Sequence, residues 1–545
     1  MPSLMRRVMM FSMCLAVFGF AACTRQGHQQ SHEPGTLVVA LRQEPNTLDP
    51  LLLEGTGAYT FGELLYSYLT NYDPQGRIVG DLALEAPTPA NGGVSPDGKR
   101  ITFHLRHGVR WQDGTPVTSR DVVFTYHAIM SPSNNVSTRF GYDVITSIAA
   151  PNPYTVVITL REPYSPIISD FFGGDSNYPI LPAHLLASAP SLNHVPFNAK
   201  PVGSGPYRLE RWSRGDRITL VANAGYYAGA PRIRRLVLPF EPDDSTTIER
   251  LQTGEIDAAF GQDASRIAEL RAIPNHRVVV TPVPYFYALA FNLKNPVLAD
   301  GAVRKALAMA IDRRTLTQKI SGGLYHAGTA TRGLFTWAYD PHVAQMPYDP
   351  AQAAALLTRD GWTPGAGGIR VKNGRRLSLQ LSFANGEDIT THFAVAIAAE
   401  ARAVGIELTL RGYDRSQYVA HDGPLLGGHY QISLYDYQGA YDPDPTWLLG
   451  CAERSPNGFD FAQYCNPEVD ALLRRAAASY DRAQRIAFYA QVQKRIAADL
   501  PYDFICQISE VDVVPDDLGG FARPILSPFN SASSWFWGSP KRSGG

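Results

Sequence analysis

Beyond residue 35 the chain alternates short strand-like apolar runs with amphipathic helices, each stopped by a local signal, and that alternation is the pattern of α/β domains. Thr36 to Leu41 (TLVVAL) reads as a buried strand. Asp243-Asp244-Ser245 predicts the start of a helix through Leu251 that ends at Gly254, and the chain turns at once into Ala258-Ala259-Phe260. The same order recurs where Asp300 precedes Val303, Leu307 and Ile311 on one helical face, and where Asp349-Pro350 opens a helix closing at Gly361. Two α/β units are implied. Asn373-Gly374, between Ile369-Arg370-Val371 and the alternating Leu377, Leu379, Leu381 and Phe383, predicts a hairpin. With 545 residues, 45% hydrophobic and 18% charged, the chain has material for two or three domains with ample core.

The N-terminus is a separate matter. Arg6-Arg7 precede an apolar stretch from Val8 to Ala22, too short for the ~20 residues that span a bilayer, so residues 1–22 read as a secretory signal. Cys23 follows two small residues, as in a bacterial lipoprotein signal, although Phe20 stands where Leu is commonest; a plain secretory signal is the alternative. Residues 23–35 are polar and read as a flexible tether. An exported chain meets an oxidising compartment, where Cys451 and Cys465, bracketing a turn-rich loop, are expected to pair; two separately buried thiols are the other reading.

Composition and motifs exclude more than they assign. Lys+Arg total 49 against 50 Asp+Glu, so no basic surplus exists to neutralise phosphates, and nucleic acid is not an expected partner. No HExxH, GxSxG, Walker A or dinucleotide GxGxxG stands in the sequence, and Gly203-Ser204-Gly205 lacks the context of a nucleophile elbow. His28 with His32 and His421 with His429 lack a third ligand, so neither a metal site nor a cofactor is expected.

Four stretches in order resemble the bacterial extracellular solute-binding proteins of family 5, the dipeptide and oligopeptide receptors of ABC importers. The longest runs from Ser95-Pro96-Asp97-Gly98 through Trp111-Gln112-Asp113-Gly114 to Asp121-Val122-Val123-Phe124; the others are Val202 to Tyr207 with Trp212 and Tyr227, Leu251 to Asp257, and Phe291-Asn292 with Val303 to Asp312. The resemblance implies a two-lobed periplasmic-binding-protein-like α/β fold. Residues 36–283 and the returning 507–545 would form one lobe and 284–506 the other, with a hinge and an interlobe ligand cleft.

For ligand contacts the resemblance implicates Glu54 and Thr56 on one wall, Asn292 at the hinge side, and the stretch Tyr435 to Leu449. Peptide receptors of this family place a carboxylate there that meets the ligand's α-amino group; Asp442 fits that role with a one-residue shift, and Tyr437 keeps the neighbouring aromatic in kind. Asp442 and Asp444 read equally as turn caps at two prolines. The implied protein is a non-enzymatic, monomeric receptor in the periplasm or at the cell surface, held to the membrane through Cys23, that binds a small peptide and delivers it to an ABC permease. A sugar derivative or opine-like amine in the same cleft is the first alternative, and a secreted hydrolase the second.

Overall fold

The computed structural model describes residues 33–538 apart from 54–55, 74, 177, 328–330, 387 and 524–526. The signal segment 1–22, Cys23, the tether up to residue 32 and Glu54 therefore lie outside the described residues. Among the described residues no helix is long and apolar enough to cross a membrane.

Two long strands organise the molecule. His276–Phe291 and Tyr502–Pro515 pair antiparallel from His276 opposite Pro515 to Ala290 opposite Tyr502. They lie in the middle of a ten-stranded sheet. On one side follow Ala258–Ala259, Thr36–Ala40, Arg235–Pro239, Arg217–Ala222 and Tyr207–Ser213; on the other follow Ile432–Gln438, Ser378–Ala384 and Glu407–Tyr413. The pairing shifts register between Pro282 and Phe286, where Pro282 and Pro284 offer no N–H to the ladder. The expected lobe boundaries, 283/284 and 506/507, both fall inside these strands.

Local signals act as the sequence predicts. Asp243 accepts from the Thr246 N–H at the start of Asp244–Thr253, and Gly254 ends that helix in the left-handed region (φ 75°). In the signature stretch the Thr118 N–H donates to Asp121 Oδ2 at 2.7 Å, starting the helix Ser119–Met130, while Trp111 is buried. Asn373-Gly374 does form a tight turn with both residues at positive φ, but it joins only the short strands Arg370–Lys372 and Arg375–Arg376. The alternating run beyond it becomes Ser378–Ala384 and pairs parallel with Glu407–Tyr413, because the large sheet offers a longer ladder and a face to bury. At Gly203 a Cβ would lie 1.7 Å from the Leu65 carbonyl oxygen, so the Gly-Ser-Gly run is a close backbone approach, with Ser204 buried.

Three apolar clusters fill the interior. One contains Leu37, Phe103 and Tyr207 together with the C-terminal Leu518, Phe529 and Trp535; Trp535 lies 6.0 Å from Phe260 and 5.8 Å from Phe529 between ring centroids. Another contains Phe286, Tyr437, Tyr489 and Tyr502. A third joins residues of both expected lobes, from Val38 and Leu251 to Leu381 and Leu434.

Cys451 and Cys465 are joined in a disulfide, whereas Cys506 is a buried free thiol. The bond spans a sequence separation of 14, for which the chain-entropy model gives ~3 kcal/mol of stabilisation. Cys451→Ala is therefore expected to lower the stability of the oxidised protein by about that amount in a denaturant titration, an effect that reduction of the native protein reproduces. Equal midpoints for the two proteins under oxidising conditions would contradict it.

Candidate functional site

A cavity of about 550 Å³ lies where the two lobes meet, with walls from both. The first lobe contributes Tyr59 from the helix Thr56–Leu65, Tyr142, and Tyr164 with Asp170, the last residue of the short helix Ile167–Asp170. The second contributes Tyr435 and Tyr437 from Ile432–Gln438. These two are alternate residues of one strand, so both face the same side. Beyond the strand, Gly439 passes so close to its neighbours that a Cβ would lie 2.5 Å from the Gly333 carbonyl oxygen. That approach steers the chain into Asp442, Asp444 and Trp447 on the cavity wall. The loop closed by the disulfide supplies Phe459 and Phe461.

Four carboxylates line this space: Asp170, Asp175, Asp442 and Asp444. Three are committed. Arg485 donates to both oxygens of Asp442, from Nη1 to Oδ2 at 2.7 Å and from Nη2 to Oδ1 at 2.5 Å, and Nη2 also reaches the Tyr489 hydroxyl at 3.0 Å. Both side chains of the pair are less than a tenth exposed. Burial opposes the charge on Arg485, yet the Asp442 carboxylate holds its pKa above the ordinary value. Asp444 accepts from the Thr446 N–H at 3.1 Å and from its hydroxyl, starting the turn Thr446–Leu449; burial lifts its pKa to about 6. Asp175 belongs to the first lobe and grips the second: it accepts from the N–H groups of Tyr441 at 2.8 Å and Asp442 at 3.0 Å, and from the Tyr72 hydroxyl. Burial raises it to about 6.

Asp170 differs. Among the described residues its carboxylate accepts only from the Ser169 hydroxyl at 3.3 Å and the Tyr164 hydroxyl at 3.4 Å, both long for a carboxylate. Burial, then the charges of Asp442, Asp175 and Asp444, push its pKa far above the usual carboxylate range.

The residues singled out in the sequence fall in different places. Tyr437 lines the cavity, its ring stacked on Phe286 at 5.2 Å, and its buried hydroxyl has no hydrogen-bond partner among the described residues. Asp442 lines it too, with its oxygens taken by Arg485 rather than by a turn; of the two aspartates, Asp444 is the one that caps. Asn292 is not among the lining residues: its amide donates to the Gly428 and Tyr430 carbonyls at 3.2 and 2.9 Å and holds a loop. Glu54 lies outside the described residues, and so does the side chain of Thr56, which begins the helix carrying Tyr59. Sequence reasoning missed Asp170 and Asp175. The available signal was a charge set inside the apolar run Ile167-Ile168-Ser169-Asp170-Phe171-Phe172, where an aspartate is costly unless a partner meets it.

Residues 77–458 match the family model described as bacterial extracellular solute-binding proteins, family 5 Middle. The chain is 31% identical over 516 residues to Protein XP55 of Streptomyces lividans, covering 94% of this chain and 90% of that one. It is 27% identical over 539 residues to the oligopeptide-binding protein AppA of Bacillus subtilis (strain 168), covering 96% and 97%. Among solved structures, NikZ from Campylobacter jejuni in complex with Ni(L-His) superposes with a TM-score of 0.80 at 24% identity, over 92% of this chain and 100% of that one. At that identity the likeness concerns the fold alone.

The Asp442–Arg485 pair yields a direct expectation. Asp442→Asn leaves an enclosed guanidinium without its counter-charge, and breaking a buried pair on one side costs about 3–5 kcal/mol. Chemical denaturation of the variant should show that loss, and an unchanged midpoint would mean the pair contributes little.

Proposed function

The chain belongs to the bacterial extracellular solute-binding proteins of family 5, and from that premise we propose that it is the extracytoplasmic receptor of an ABC importer, enclosing a short peptide-like solute between its lobes and handing it to the permease. The observation that carries this reading is the cavity itself, whose two walls come from opposite sides of the paired strands His276–Phe291 and Tyr502–Pro515. Bending at two strands lets such walls part and meet, so that a solute enters from water and is then shut away from it.

Asp175 is the clasp in this mechanism. Its carboxylate accepts from the Tyr441 and Asp442 amides only when the lobes are together. Opening frees those groups to water and releases the solute. The volume of about 550 Å³ lies within the roughly 300–1,000 Å³ of small-ligand pockets, which favours a ligand of a few residues over a long peptide. The relative AppA, described as oligopeptide-binding, supports peptides as the solute class. In this reading Tyr437 and Asp442 are wall residues of the second lobe, Glu54 and Thr56 contact the solute from the first, and Asn292 supports the wall through the loop it holds.

The receptor works as a monomer, tethered by residues 23–35 and held at the membrane by acyl groups on Cys23. More than one chain is needed for stable anchoring. Intact-mass analysis should find the mature chain starting at an acylated Cys23, and Cys23→Ser should release protein into the soluble fraction. An unlipidated chain cut elsewhere would refute the anchor.

The binding reading is tested with alanine peptides of two to five residues in calorimetry and small-angle scattering. At least one should bind once per chain, shrink the radius of gyration, and be recovered intact. Cleavage of the peptide would make the protein a hydrolase. Absence of binding by every peptide, together with a non-peptide solute found in the native mass spectrum of the purified protein, would overturn the peptide assignment.

A further inference from the structure

We propose that the cavity selects solutes with net positive charge and seats an organic cation against Asp170. This inference rests on the reading of the cavity as the solute site.

The charge inventory is one-sided. Four aspartates line the cavity and no Lys, Arg or His does among the described residues. Arg485 neutralises Asp442 but is not itself a lining residue. Asp175 is spent on the clasp and Asp444 on the cap, and each still brings negative charge to the wall. Asp170 is the acceptor left open, with two long hydrogen bonds in place of the stronger contacts a carboxylate takes when a cation is present.

Burying several like charges is unfavourable unless a counter-charge joins them. A cationic solute supplies it; a zwitterion supplies only as much as it takes away, because its own carboxylate finds no cation on these walls. Aromatic faces add to the selection, since Tyr142, Tyr164 and Trp447 line the same space and π-faces attract ammonium and guanidinium groups. A metal ion does not answer the description: among the described residues no group of three or more His, Cys, Asp or Glu is placed to hold one.

The test uses four probes of defined charge on the full mature protein in calorimetry: the peptides Ala-Lys-Ala, Ala-Gln-Ala and Ala-Glu-Ala, and spermidine. Ala-Lys-Ala should bind at least tenfold tighter than Ala-Gln-Ala, and Ala-Glu-Ala should bind weakest. Asp170→Asn should shrink the Lys-over-Gln preference to within about twofold. Should that variant fail to fold, the order of the four probes on the unaltered protein still decides the matter. Peptide binding without charge order, or with Ala-Glu-Ala first, overturns this inference and leaves the peptide receptor standing. Binding of spermidine alone keeps the cation preference and overturns the peptide reading. Binding by none of the four overturns both, and a preference that survives in Asp170→Asn overturns the placement at Asp170.

Discussion

The backbone ladder between His276–Phe291 and Tyr502–Pro515 is the interaction on which the rest depends. The two strands pair from His276 opposite Pro515 to Ala290 opposite Tyr502, each continuous along its length. Each lobe adds its own strands to one flank of this pair, so the two lobes inherit their relative position from a single hydrogen-bonded ribbon. The proline-bearing irregularity between Pro282 and Phe286 interrupts the ladder where the lobes meet. A ribbon is stiff along its strands and compliant across them, which suits two bodies that must part and meet again.

What the lobes enclose follows from how buried charge is managed. Asp442 is stabilised by Arg485, Asp444 by the helical turn it starts, and Asp175 by amides of the opposite lobe. These arrangements use three different partners for the same functional group, and each partner gives the carboxylate a separate structural task. Among the described residues Asp170 has the poorest set of donors of the four, and the charges of Asp442, Asp175 and Asp444 act on it as well. The aromatic walls matter for the same reason. They remove water from the carboxylates, so whatever enters must satisfy them itself.

Much of this was legible beforehand in particular residues. Asp243 and Gly254 bound their helix where the sequence placed them, and the pairing of Cys451 with Cys465 follows from a turn-rich loop whose ends meet. Tyr437 and Asp442 were singled out within one stretch, and both line the cavity. Asn292 was harder. Its position at the end of a long strand is visible in the sequence, but whether its amide faces a cleft or holds a loop depends on Gly428 and Tyr430, more than a hundred residues away. The strand Ser378–Ala384 shows the same limit from the other side, since its alternation is compatible with a hairpin or with a parallel sheet and only the available partner decides.

By itself the sequence determined the features that a residue and its near neighbours settle between them. These are the α/β alternation, the capped helix ends, the tight turn at Asn373-Gly374, the absence of recognisable catalytic motifs, and the family signature made of scaffold residues such as Trp111 and Asp121. Tertiary structure alone decided where the charges meet. Asp170 and Asp175 approach Asp442 and Asp444 from across the lobe boundary, some 270 positions apart in the chain, and Arg485 reaches Asp442 from a later helix. Periodicity and capping are governed by contacts within a turn or a strand, whereas electrostatics in a buried cavity depends on every charge within reach, whatever its place in the chain.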